Sequence, residues 1–171
     1  MTAASNALTK LPAQAFAHRY PDTVAAGQLL LIRGQWALRV SGEELQGYLL
    51  LEGERMGKIF QLTSGMAKCP CIVEPCGWFP AVSQGSKPVS NSEQIATLGI
   101  SASGPVLIGM YSRHQWEPLY LAVSVAGQAT EVQDLHTLPQ YERWSVEIFH
   151  TDRPFHGLAT LLEVERAKTR G

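Results

Sequence analysis

The segment GLATLLEVERAKTRG, residues 157–171, decides the fold class, because its pattern alone points away from β-structure. Leu158, Leu161 and Leu162 recur at helical spacing, and Ala, Leu, Glu, Arg and Lys are strong helix formers. Arg166, Lys168 and Arg170 at its end suit the negative pole of a helix dipole. The pattern predicts a C-terminal helix packed on a sheet.

The sheet is written upstream. GQLLLIRG (27–34), WALRVSG (36–42), GYLLLEG (47–53) and GKIFQLTSG (57–65) are short apolar runs bounded by Gly or Ser. Trp36, Leu38 and Val40 alternate with Ala37 and Arg39, the period of a half-buried strand. GQLLL at 27–31 echoes GYLLL at 47–51, which reads as a hairpin repeat. PVLIGMYS (105–112), LYLAVSV (119–125) and RWSVEIF (143–149) return to the same rhythm. The expected fold is therefore a β-rich α+β class, with antiparallel sheets or a partly open barrel and the C-terminal helix on one sheet.

One domain spans 1–171. Residues 1–23 are expected as a partly flexible N-terminus with a short helix over 11–20, and 24–65 as a β-meander. Seven Gly and Pro residues between 65 and 88 predict an irregular crossing over 66–91. Strands and the final helix fill 92–171, with a short helix opened by a capping box at Ser90 and Glu93.

Composition narrows the function. With 45% hydrophobic and 17% charged residues, the chain can bury a core without disulfide or metal. The net charge of -1 speaks against nucleic acid and anionic membranes as partners. No apolar run approaches the roughly 18 residues of a membrane span, and the N-terminus lacks a secretory signal pattern. Three cysteines, an odd number, suit a reducing compartment, and the expected location is the cytoplasm of a microbe. The common glycine-rich phosphate loops are missing, and GISASG (99–104) has Ser103 where a nucleophile elbow needs its second glycine. No cofactor is expected.

Three clusters could carry chemistry. KCPCIVEPCGWFP (68–80) holds all the cysteines, Cys69, Cys71 and Cys76. They supply three of the four ligands that structural zinc requires, but C-P-C is not the usual C-x2-C knuckle, so burial as free thiols is the better reading. YSRHQWEP (111–118) offers Tyr111, Arg113, His114, Trp116 and Glu117 as a recognition loop, since aromatic side chains supply contact area at low entropic cost. In HTDRPFHG (150–157), His150, Asp152 and His156 form the elements of a 2-His-1-carboxylate site, against the simpler reading of a turn at Asp152 and Pro154.

Gly109-Met110-Tyr111, followed by Tyr120-Leu121-Ala122, resembles the paired strands of the GIY-YIG nucleases over residues 104–171. That resemblance implies a small α/β domain that cuts DNA with a divalent ion, with Tyr111, Tyr120 and a metal-binding Glu163 on the last helix. Ala122 replaces the motif's glycine, and no arginine follows Tyr120 at the expected distance. The leading expectation is a non-catalytic binding or accessory protein using loops 66–90 and 111–118. Its partner would be a protein, a small molecule or a second copy of the chain. The nuclease and a structural zinc protein are the alternatives.

Overall fold

The computed structural model describes residues 11, 13–89, 95–114, 117–132, 135–152 and 157–165. Its strands, in chain order, are β1 (Phe16–Arg19), β2 (Leu29–Ile32), β3 (Gln35–Gly42), β4 (Leu45–Leu50) and β5 (Lys58–Gln61). There follow β6 (Cys69–Ile72), β7 (Cys76–Val82), β8 (Pro88–Val89), β9 (Leu98–Ser101) and β10 (Gly104–His114). The last five are β11 (Glu117–Ser124), β12 (Gln128–Glu131), β13 (Gln140–Tyr141), β14 (Arg143–His150) and β15 (Gly157–Glu165). Among the described residues no helix reaches seven residues; 3₁₀ turns occur at Ala13–Ala15, Pro21–Thr23 and Leu135–Thr137.

This corrects the α+β expectation: the fold is nearly all β, around a closed six-stranded barrel. Residues 157–165 of the expected C-terminal helix are a strand, paired antiparallel with β14. The pairing steps from Val146↔Leu162 to Glu147↔Thr160, and from Ile148↔Ala159 to Phe149↔Gly157. Leu161 and Leu158 are therefore the extra residues of two β-bulges. A bulge adds one residue to one strand, which breaks the alternation of two and leaves neighbours such as Leu161 and Leu162 both buried. Two bulges three residues apart counterfeit a helical stripe. Elsewhere, the expected helix over 11–20 is a 3₁₀ turn followed by β1. The expected crossing contains β6, β7 and β8. Ser90 and Glu93 lie outside the described residues, and the chain beyond them forms β9 rather than a helix.

The barrel strands are β3, β4, β5, β10, β11 and β12. Each set of three is an antiparallel meander, and the two meanders join through parallel contacts, Met110↔Lys58 and Tyr111↔Ile59 at one seam, Gln128↔Ser41 and Ala129↔Gly42 at the other. The meanders match pair for pair. Leu38↔Leu49 answers Leu107↔Val123, Gly47↔Gln61 answers Leu121↔Glu131, and Tyr48↔Phe60 answers Ala122↔Thr130. The seams match too: the Met110 N–H donates to the Gly57 carbonyl, and the Ser41 N–H to the Gly127 carbonyl. The barrel thus has an internal two-fold pattern. The GQLLL/GYLLL echo is unrelated to it, because β2 and β4 are the two flanking partners of β3.

Inside, Trp36, Leu38, Val40, Leu49, Ile59, Leu107 and Val123 fill the core. A three-stranded sheet, β15-β14-β7, adds Trp144, Val146, Ile148, Leu161 and Val164 to that core. Trp144 and Val164 meet Leu49, Leu51 and Leu107 around a gap too tight for a water molecule, which closes that end of the barrel. Two indoles fasten the sheet: Trp144 Nε1 donates to the Ala96 carbonyl at 2.9 Å and Trp78 Nε1 to the Gly27 carbonyl at 2.8 Å. On the outer wall, Ala37 and Leu50 pack with Leu30, Ile32, Cys69 and Cys71 in a second cluster.

Both seams use left-handed glycines, Gly57 at φ 86° and Gly127 at φ 80°. A Cβ on Gly127 would run into the Gly27 nitrogen and the Arg39 carbonyl, both backbone. Gly34, at the β2–β3 turn, has φ 78° but nothing within 4 Å of a Cβ. Gly34→Ala should therefore cost only the left-handed penalty of about 1 kcal/mol. Gly127→Ala should cost at least about 3 kcal/mol, the top of the range for strained backbone, because rigid atoms must also move. Urea midpoints of the two variants measure this; equal shifts would show that the seam is not tightly held.

Candidate functional site

The three thiols separate onto two faces. Cys69 and Cys71 alternate onto the outer cluster, whereas Cys76 belongs to the main core. All three are free and buried. The Cys71 Sγ–H donates to the Ala17 carbonyl at 3.4 Å. Burial raises the pKa of each thiol, with neighbouring Cys71 adding to the rise at Cys69 and Glu74 to that at Cys76. Raised thiols stay protonated and are poor nucleophiles and poor metal ligands. Among the described residues no three His, Cys, Asp or Glu side chains converge as a metal site. The Asp152 N–H donates to His150 Nδ1 at 3.3 Å within a local turn, and His156 lies outside the described residues.

Tyr111 and Tyr120 stand on opposite faces of the barrel wall. Tyr111 packs against the inner core; Tyr120 packs outside against Val106, Ile108 and Leu135. Glu163 is exposed on β15, opposite Ser145, on a strand rather than a helix. Arg113 and His114 end β10, Glu117 is exposed at the start of β11, and Trp116 lies outside the described residues. Of the expected recognition set, Tyr111 lines a recess.

That recess is the mouth of the barrel, opposite the end closed by Trp144. Leu45, on the inner face of β4, lies four residues before Leu49, about 13 Å along the strand at 3.3 Å per residue. There Leu45, Leu119, Leu121 and Tyr111 form an apolar floor beneath a recess of about 670 Å³. Its rim carries Glu43, Glu44 and Glu131, all exposed, with no Lys, Arg or His among the described lining residues. Glu43 and Glu44 occupy the β3–β4 turn, where Glu44 takes φ 57°. Glu131 ends β12, two residues past the second seam. The Tyr111 hydroxyl donates to Gln61 Oε1 at 2.7 Å across the first seam, which fixes its ring at the floor's edge. The local signal of the acidic rim in the sequence is the turn Glu43-Glu44 between two strands; Glu131 joins it only through the fold.

The thiol pKa shifts carry a sign. Native thiols hold their protons above pH 9.0, the ordinary value, while unfolded thiols lose theirs. Stability from this source is thus complete below about pH 9 and is lost as pH rises through the native values. A disulfide reagent at pH 8 should label the folded protein at least tenfold more slowly than the urea-unfolded chain. Rapid stoichiometric labelling of the folded protein would contradict the burial. No protein-family model matches the chain, and no curated protein or solved structure is detectably similar to it.

Proposed function

We propose that this is a non-catalytic binding protein that holds, at the mouth of its barrel, a ligand carrying a positive charge on an apolar body. The observation that supports it is the apolar floor of Leu45, Leu119 and Leu121 set inside three carboxylates. Barrel mouths are favoured places for ligands, and the recess falls within the usual 300–1,000 Å³ of ligand pockets. Its chemistry is that of a lysine-like or alkylammonium group. The carbon stem lies on leucine, and the charge reaches Glu43 or Glu131. An exposed ion pair contributes about 0.2–1 kcal/mol, so the carboxylates bias the mouth toward a cation and against an anion. The Tyr111 hydroxyl is engaged with Gln61, which suits a holding role better than proton transfer. Part of the expected loop 111–118 thus serves the mouth through Tyr111. Free thiols suit a reducing compartment such as the cytoplasm.

Titration with an alkylammonium ion and with the alcohol of the same carbon skeleton, read by amide chemical shifts, tests this. The ammonium should bind more tightly and perturb residues 42–45, 119–121 and 129–131. Glu131→Gln should weaken the ammonium roughly two- to fivefold, as befits an exposed charge pair, and leave the alcohol unchanged. Equal affinity for the two probes, or shifts remote from the mouth, would refute the reading.

A further inference from the structure

The outer wall of the first meander carries the opposite charge. Three shallow grooves run side by side there, the first two sharing Ile32 and Arg33, the second and third sharing Arg55 and Phe60. Their described lining residues include Lys68, Arg33, Arg55 and Lys58, against a single carboxylate, Glu54. A chain of net charge -1 has therefore separated its charges, with an acidic mouth and a basic outer strip.

Aromatic rings are interleaved with these cations. Tyr48 and Phe60 face each other across β4 and β5 and stack, with centroids 5.7 Å apart and planes 27° from parallel. Arg55 lies 5.9 Å from the Phe60 centroid. At the far end Lys68 lies 5.1 Å from the ring of Tyr20, which is 50% exposed. The internal two-fold supplies a control within the molecule: the equivalents of Tyr48 and Phe60 are Ala122 and Thr130. Barrel closure itself needs no aromatic pair at these positions, since the other half closes without one; here the pair also rests on the outer cluster.

We infer that this strip binds single-stranded nucleic acid, a few nucleotides long, without sequence selectivity. A nucleobase extends the Tyr48–Phe60 stack, and its flanking phosphates meet Arg33 and Arg55, with Lys68 and Lys58 beyond them. Flat rings alternating with cations along a groove are what an unpaired strand requires, because every base has a π-face and every linkage a negative charge. A duplex keeps its base faces hidden, and an acidic peptide gains nothing from ring stacking, so single strands fit both features at once.

Fluorescence anisotropy with a labelled oligothymidylate tests the assignment. Binding is expected to weaken with salt, with a log–log slope of magnitude about 3 if four phosphates are neutralised at about 0.7 each. Arg33→Gln and Arg55→Gln should each lower that slope by about 0.7, whereas Lys87→Gln, an equal change of charge in the exposed β7–β8 turn, should not. Tyr48→Ala and Phe60→Ala should each weaken binding about tenfold. Tyr48→Leu keeps the apolar bulk that packs on the outer cluster and should lose nearly as much affinity while the melting temperature holds. Three outcomes overturn the inference: no binding at low salt, equal binding of polyglutamate or duplex, or a Tyr48→Leu variant that binds like the parent.

Discussion

Two short parallel contacts hold the whole molecule in shape. A three-stranded meander has two open edges, and each is a row of unpaired amides and carbonyls. Here the edge of β5 meets β10, and the edge of β12 meets β3, so that six strands close on themselves. Each seam rests on a glycine carbonyl presented from a left-handed turn, Gly57 in one and Gly127 in the other. At the second seam the backbones of Ala26, Gly27, Arg39 and Gly127 lie so close that no side chain fits between them. At the seams closure is backbone against backbone, and the apolar interior it encloses supplies the main stabilisation.

A closed barrel has an inside, an outside and two ends, and the chain uses each differently. One end is sealed by Trp144 and Val164 from the separate three-stranded sheet. The other stays open over leucine with carboxylates around it. On the outer wall the Arg39 guanidinium is buried and donates to the carbonyls of Pro21, Val40 and Gly47 and to Gln46 Oε1. Its burial lowers its pKa, opposed by the nearby charge of Asp22. This side chain ties the Pro21–Thr23 turn to the wall, a structural use of a residue that reads in sequence as the solvent face of an alternating strand. Exposed cations are instead collected along the grooves beside β4 and β5. A net charge close to neutral conceals this division, because summing over the chain removes the positional information that ligands respond to.

Parts of the site were readable before the structure. Tyr111 stood out in an aromatic, charged hairpin loop, and it does line the mouth. Leu45 and Leu119 read only as strand residues, since nothing local says which end of a barrel is left open. Tyr48 and Phe60 read as members of apolar runs, and their stacking follows from the register Tyr48↔Phe60. In the cysteine stretch the side chains are buried, but the strands β6 and β7 that carry them and the split of the thiols between two clusters are set by pairing with distant partners.

By itself the sequence determined the barrel strands and two others: the two-residue apolar rhythm of 27–62 and 105–149 and its glycine breaks survive as β2 to β5, β10 to β12 and β14, whereas β1, β6 to β9 and β15 were not legible in it. Tertiary structure alone decided that residues 157–165 extend rather than coil. Their partner β14 accepts two extra residues as bulges, and pairing energy then outweighs a helix preference worth only tenths of a kcal/mol per residue. It alone decided the parallel seams as well. Met110 and Lys58 are far apart in the chain, and the contact between them is set by how two finished meanders fit together, which no short window of sequence encodes.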